Sequence, residues 1–275
     1  MSQFFTTEIS DPQYEWDGLR FLTVKSNALQ KRVDVTVFIP SNIEISALSG
    51  VVILLHGVYG SHWAWCLKGG VHKIAKQLID VNSILPMMLV MPSDGLFADG
   101  SGYVSHSSQE DYEKWIAEDL IALIREQFPD LTTDLPFFIT GLSMGGFGAL
   151  RLGAKYPHLF RAFSGLSSIT HFEQIGLFVS DFEQLKQLAN EQDGVLEWVL
   201  KNRNLLSPFR FDCGSEDLLI EHNRALHLAL AAAGIPHQYE EHSGGHSWEY
   251  WHAHIGESLR FFSRYSHRRL GREEK

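Results

Sequence analysis

The stretch Phe137–Gly146 constrains this chain more than any other. An apolar run, Phe137–Thr140, leads into Gly141-Leu142-Ser143-Met144-Gly145, a G-x-S-x-G match. Residues with helical spacing follow, including Ala149, Leu150 and Leu152, as far as about Tyr156, where Pro157 ends them. Strand, tight turn and helix in that order form the context of a nucleophile elbow. The turn is sharp and the serine backbone strained, so glycines stand where side chains would collide. The Ser143 hydroxyl is thereby lifted above the carboxyl edge of a sheet, at a helix N-terminus. The competing reading is a glycine-rich turn that holds a phosphate. The turn carries neither the G-K-[ST] of a Walker loop nor the G-x-G-x-x-G of a dinucleotide site.

The rest of the 275 residues supplies a fold for such an elbow. Phe21–Ser26 and Arg32–Pro40 read as strands joined in a hairpin through Asn27–Lys31, with Val33, Val35, Val37 and Ile39 on one face. Val51–Leu55 is a continuous apolar run suited to a strand buried on both faces of a parallel sheet. Lys68–Val81 reads as a helix, Met87–Met91 as a strand, and Ser93–Ser108 as a loop rich in Gly, Ser and Asp. Asp111–Phe128 has helical spacing, and Ala162–Leu166 is a further strand. Ser167–Ser207 reads as an insertion over the sheet edge, a cap rather than a domain, with amphipathic stretches at Phe182–Ala189 and Val195–Lys201. Strand Phe209–Cys213, helix Glu221–Ala233, strand His237–Glu241 and helix Ser247–Tyr265 complete the pattern. The alternation predicts a single α/β domain over residues 1–266, a mostly parallel central sheet with helices on both faces and an antiparallel N-terminal edge, followed by a flexible tail from His267 to Lys275.

Composition excludes several classes. Hydrophobic residues are 44% and charged residues 20%, which is globular rather than disordered or fibrous. A formal charge of −10 disfavours nucleic acid and anionic membrane surfaces as partners. No basic start or apolar core of a signal peptide precedes Asp11, and there are only two cysteines, Cys66 and Cys213. Both features predict a cytoplasmic protein without a disulfide framework.

A serine hydroxyl needs an adjacent base, and the base an orienting carboxylate. With an elbow serine, the acid and then the histidine follow downstream. Asp217 lies just after the strand Phe209–Cys213, and an N-cap for the following helix is its alternative role. Glu216 is a rival acid, whereas Asp212 lies within the strand and should point across the sheet. His246 sits in the glycine-bracketed loop Ser243-Gly244-Gly245-His246-Ser247-Trp248; its rivals His242 and His252 lack that setting. No metal motif is present, so neither metal nor organic cofactor is expected. The Met144 N–H and the Val58 N–H, in His56-Gly57-Val58 after the strand Val51–Leu55, are candidate oxyanion donors, with His56 bracing the loop. Tyr59, Trp63, Tyr103 and Trp248 are candidate walls of the substrate pocket, with Trp65, Phe97 and His106 nearby; each aromatic is equally well explained as core.

With these residues placed, the chain resembles the esterase family of the α/β-hydrolases from about Arg32 to Phe262. That group includes the S-formylglutathione hydrolases, the tributyrin-type and carbohydrate esterases and the mycolyltransferases. The resemblance rests on Leu54-Leu55-His56-Gly57, Gly141-Leu142-Ser143-Met144-Gly145-Gly146, Asp212-Cys213-Gly214 through Asp217, and Gly244-Gly245-His246-Ser247-Trp248. It implies the α/β-hydrolase fold, Ser143 as nucleophile, Asp217 as acid, His246 as base, Val58 and Met144 as oxyanion donors, and a homo-oligomer. It also implies hydrolysis of a small-molecule ester with a short, acetyl-like acyl group, including sugar esters. The alternatives are a thioesterase such as S-formylglutathione hydrolase and a noncatalytic ligand-binding member of the fold. The segment Val58-Tyr59-Gly60-Ser61-His62-Trp63 has no cysteine where the formylglutathione enzymes carry one, which favours the short-chain esterase branch.

Overall fold

The computed structural model describes residues 2–107 and 110–266. The strands are β1 (Thr7–Ile9), β2 (Leu19–Lys25), β3 (Arg32–Phe38), β4 (Val51–Leu55), β5 (Met88–Pro92), β6 (Ser105–Ser107), β7 (Glu110–Asp111), β8 (Phe137–Gly141), β9 (Phe160–Leu166), β10 (Phe209–Gly214) and β11 (Gln238–His242). The helices are α1 (Val71–Asp80), α2 (Tyr112–Lys114), α3 (Leu120–Gln127), α4 (Met144–Lys155), α5 (Phe182–Leu188), α6 (Val195–Lys201), α7 (Ile220–Ala232) and α8 (Trp248–Tyr265).

Nine strands form one sheet in the order β1-β2-β3-β5-β4-β8-β9-β10-β11. Pairing is antiparallel from β1 through β3 to β5 and parallel from β5 to β11. The predicted parallel sheet with an antiparallel N-terminal edge is therefore what the chain builds. Every residue of β4 and β8 is buried, as expected of central strands that helices cover on both faces. One face packs on α1 and α8 through Leu54, Val71, Phe138, Ile255 and Phe262. The other packs on α3 and α4 through Ile53, Leu123, Ile139 and Phe147. From β4 the chain adds β5 on one side and then β8 to β11 on the other. The carboxyl ends of β4 and β8 thus flank the point where strand order reverses, the usual place for a ligand crevice in an open α/β sheet.

Several boundaries differ from the sequence expectation. The helix expected from Lys68 starts at Val71 instead, because Gly70 adopts φ 65° and breaks it from a π-turn over Ala64–Lys68. The loop expected at Ser93–Ser108 contains the short hairpin strand β6, and β1 is an edge strand too short to show a period. Segment 167–207 is the crossover from β9 to β10. Its Phe172, Ile175, Val195 and Val199 join the core shared with α4. The fully buried Arg151 of α4 pairs with Glu113 at 2.6 Å and with Glu191 of the crossover at 2.7 Å. This part of the crossover therefore packs against α4. The expected tail from His267 to Lys275 lies outside the described residues.

Candidate active site

Ser143 has φ 54° and ψ −120°, a left-handed backbone that a β-carbon disfavours. Two glycines make the turn possible. A Cβ on Gly141 would lie 2.2 Å from the Gly145 carbonyl oxygen, and one on Gly145 would lie 2.2 Å from the Leu55 oxygen and 2.5 Å from that of His56. The first contact closes the turn, and the second seats α4 against the end of β4. Gly145→Ala is expected to destabilise the protein by about 3 kcal/mol through this overpacking. A thermal melt checks it, and an unchanged midpoint would mean that the helix has room to shift.

Three side chains distant in sequence meet above this turn. The His246 Nε2 lies 2.9 Å from Ser143 Oγ, and its Nδ1 lies 3.0 and 2.9 Å from the two Asp217 carboxylate oxygens. A carboxylate only accepts, so Nδ1 carries the proton and Nε2 accepts from the serine hydroxyl. Asp217 is fully buried and Ser143 nearly so, while His246 keeps a partly open edge. Asp217 Oδ1 also accepts the Leu219 N–H at 2.8 Å, a bond within the turn before α7; the N-cap of that helix is Leu219, so Asp217 does not take the capping alternative. The imidazole is flanked by Phe178, stacked at 5.1 Å, and by the edge of Trp251 at 5.0 Å.

The rival residues lie elsewhere. Asp212 is buried, pairs with Arg210 at 2.7 Å and accepts from the Tyr250 hydroxyl at 2.9 Å. Glu216 is exposed and its carboxylate accepts the Gly244 N–H. His242 stacks on His254, and His252 Nδ1 donates to the Gly69 carbonyl at 2.8 Å.

On the β4 side, His56 Nε2 accepts the Asp94 N–H at 3.0 Å, so its proton is on Nδ1, which donates to the Gly57 carbonyl at 2.7 Å. The Gly60 N–H binds the same carbonyl at 3.2 Å. In a trans peptide the C=O and the next N–H point in opposite directions. Anchoring the Gly57 carbonyl therefore also sets the direction of the Val58 N–H. Met144, the first residue of α4, has an N–H with no acceptor inside its helix.

A cleft of about 500 Å³ opens above Ser143 and His246. Tyr59, Trp63, Phe178, Trp248 and Trp251 wall it, with Val58 and Leu142 at its base and Lys68 and Glu249 among its lining. Lys68 Nζ lies 5.6 Å from the Trp248 ring centroid. Of the four aromatic residues expected from sequence, Tyr59, Trp63 and Trp248 line this cleft and Tyr103 does not. Its side chain is fully buried, its ring faces Gly148 of α4, and its hydroxyl donates to the His56 carbonyl at 3.0 Å. Tyr103 braces the loop from below because the chain around Gly102 turns it inward. Phe178, Trp251 and Lys68 also line the cleft, though no sequence motif marks them. Among the described residues no group of three or more His, Cys, Asp or Glu is arranged to hold a metal.

This geometry can pass a proton from hydroxyl to imidazole beside a carboxylate, next to unpaired amides. Comparison with known proteins agrees in kind. The Esterase family matches residues 26–262. The chain belongs to this family. It is a carboxylic ester hydrolase of the α/β-hydrolase fold, acting on small-molecule esters. The esterase is 28% identical over 231 residues to an acetyl esterase of Caldicellulosiruptor saccharolyticus, an alignment spanning 78% of this chain and 83% of that one. Its fold matches a ferulic acid esterase with a TM-score of 0.76 at 24% identity, covering 95% of this chain and 99% of the other. An S-formylglutathione hydrolase of Staphylococcus aureus superposes with a TM-score of 0.74 at 18% identity, covering 94% and 99%. No helix among the described residues of the esterase is long and apolar enough to cross a membrane.

Proposed function

We propose that this esterase removes short acyl groups, acetyl foremost, from small alcohols including sugars, through an acyl-enzyme on Ser143. The observation that carries this reading is the Ser143–His246–Asp217 chain of hydrogen bonds at the floor of an aromatic-walled cleft. In the first half-reaction His246 Nε2 takes the Ser143 proton as Oγ adds to the ester carbonyl. The oxyanion forms against the Met144 and Val58 amides, and the alcohol departs with the proton from His246. Water repeats the sequence on the acyl-enzyme. Asp217 keeps the proton on Nδ1 and stabilises the imidazolium between steps. The buried hydrogen bonds at His56 keep the Val58 amide fixed, so little reorganisation is needed when charge develops.

The tryptophan walls suit the flat apolar face of a sugar or a small acyl group. Phe178 supports a capping role for segment 167–207, since it reaches the cleft from the crossover. Both cysteines are free and buried, and burial pushes the Cys66 thiol up to about 11. Neither suits reactive-thiol chemistry, and both fit a reducing cytoplasm. The net charge of −10 speaks against nucleic acid and membrane partners, and a homo-oligomer is carried over from the family resemblance.

The test is a series of p-nitrophenyl esters from acetate to octanoate, run beside acetylated sugars and S-formylglutathione. The highest kcat/KM is expected for acetyl esters, falling by about tenfold or more at the octanoate as chain length exceeds the cleft. A preference for S-formylglutathione would replace this assignment with a thioesterase. No turnover of any substrate, together with no labelling of Ser143 by a fluorophosphonate, would make the protein a binding module.

A further inference from the structure

Asp217 and His246 come from separate loops, after β10 and β11, so their meeting depends on what locks those loops together. The two strands run parallel, with Gly214 opposite His242 at the last rung. Beyond it the Ser215 N–H donates to the His242 carbonyl at 2.8 Å. Glu216 then engages both polar groups of a single residue. Its backbone N–H donates to the Gly244 carbonyl at 3.0 Å, and its carboxylate Oε2 accepts the Gly244 N–H. The other carboxylate oxygen accepts the Ser215 hydroxyl at 2.8 Å, which fixes the side chain in its turned-back pose.

The surroundings leave Gly244 little freedom. It holds φ 132°, and a Cβ on Gly214 would meet its carbonyl oxygen at 2.0 Å. A Cβ on Gly244 itself would meet the Tyr250 ring at 2.9 Å. The Tyr250 hydroxyl in turn donates to the buried Asp212, which pairs with Arg210. The loop that carries His246 therefore lies between a buried, anchored aromatic ring and a carboxylate at the surface.

The geometry points to Glu216 as a positioning residue that clamps Gly244 through side chain and backbone together, and so holds His246 between Asp217 and Ser143. This inference rests on the relay proposed above. Glu216 touches neither substrate nor reacting atom. A carboxylate on an exposed loop is ordinarily just solvated, but this one spends its acceptors on its own loops. A charged acceptor on a backbone N–H is stronger than the water it replaces as a means of fixing a loop.

The test compares the wild type, Glu216→Ala and Glu216→Gln by steady-state kinetics on p-nitrophenyl acetate and by the low-field proton resonance of His246 Nδ1–H. Glu216→Ala is expected to lower kcat by about tenfold with KM changed by less than about twofold, because misplacing the base slows chemistry and leaves the cleft intact. Its Nδ1–H resonance should broaden or move. Glu216→Gln keeps an oxygen that can accept the Gly244 N–H, and should recover at least about half of the wild-type kcat and the wild-type resonance. The clamp is refuted if Glu216→Ala keeps kcat within about twofold and an unchanged resonance, or if the Ala and Gln variants fall equally. Should the wild type show no Ser143-dependent ester hydrolysis, the relay reading fails, while the resonance still reports separately whether Glu216 orders His246.

Discussion

Ser143→Ala is expected to reduce kcat on p-nitrophenyl acetate by about 10⁴- to 10⁶-fold, leaving the residual rate that an oxyanion hole and binding alone supply. The hydroxyl removed is the group hydrogen-bonded to His246 Nε2 at 2.9 Å, and nothing adjacent can replace it as a nucleophile. The thiol of Cys66, in the turn after Trp63, is buried and donates to the Trp63 carbonyl at 3.2 Å. Substrate affinity should survive, because the walls are untouched. Ser143→Gly makes a useful companion. It should be equally inactive, yet more stable by about 1–2 kcal/mol, because glycine relieves the φ of 54° that serine is forced to hold. Kinetics with a parallel thermal melt read both effects. An alanine variant with more than about a hundredth of wild-type kcat would remove Ser143 from the mechanism.

Asp217→Asn is expected to lower kcat by about 10⁴-fold while barely altering the fold. The reason lies in a second contact. Oδ1 accepts the Leu219 N–H at 2.8 Å, so an asparagine must keep its oxygen there and turn its NH₂ toward His246 Nδ1. The imidazole then carries its proton on Nε2 and cannot accept the one on Ser143. The same argument distinguishes the two neighbouring carboxylates. If the asparagine variant retained more than about a tenth of kcat, Asp217 would not be the orienting acid; Glu216 offers no ready substitute, because its carboxylate is engaged with Gly244. Binding of a nonhydrolysable ester analogue should be unchanged in the variant, which separates loss of tautomer control from loss of the cleft.

The sequence made some parts of this arrangement legible for identifiable reasons. β4 and β8 are buried on every residue because both their faces are covered, and their runs Val51–Leu55 and Phe137–Ile139 are apolar to match. Ser143, Asp217 and His246 all follow strands and sit near glycines, where backbones must approach closely. Gly141, Gly145, Gly214 and Gly244 each leave no space for a side chain. The cleft walls carry no such mark. Phe178 lies in the crossover just after a 3₁₀ turn, Phe172–Leu177, with no period to show that its ring would cover an imidazole. Trp251 has the spacing of a core residue of α8 and is one, but its indole edge also meets His246. Tyr103 shows the converse. An aromatic in a glycine-rich loop beside the site invites a substrate role, whereas its hydroxyl serves the carbonyl of His56. Local pattern reports backbone constraint, and the direction of a loop side chain is set by partners distant in the chain.

The Tyr59 hydroxyl donates to the Phe178 carbonyl, and the Tyr59 N–H binds the Asp99 carbonyl at 2.8 Å. Tyr59 follows Val58 directly, so the strut that spans the mouth of the cleft is bolted to the same peptide segment that presents an oxyanion amide. Selectivity and reactivity consequently share one beam in this enzyme. Lengthening or shortening the crossover to admit bulkier acyl groups would tug on that amide, and redesign for new substrates should cost turnover unless Tyr59 is first cut loose from Phe178.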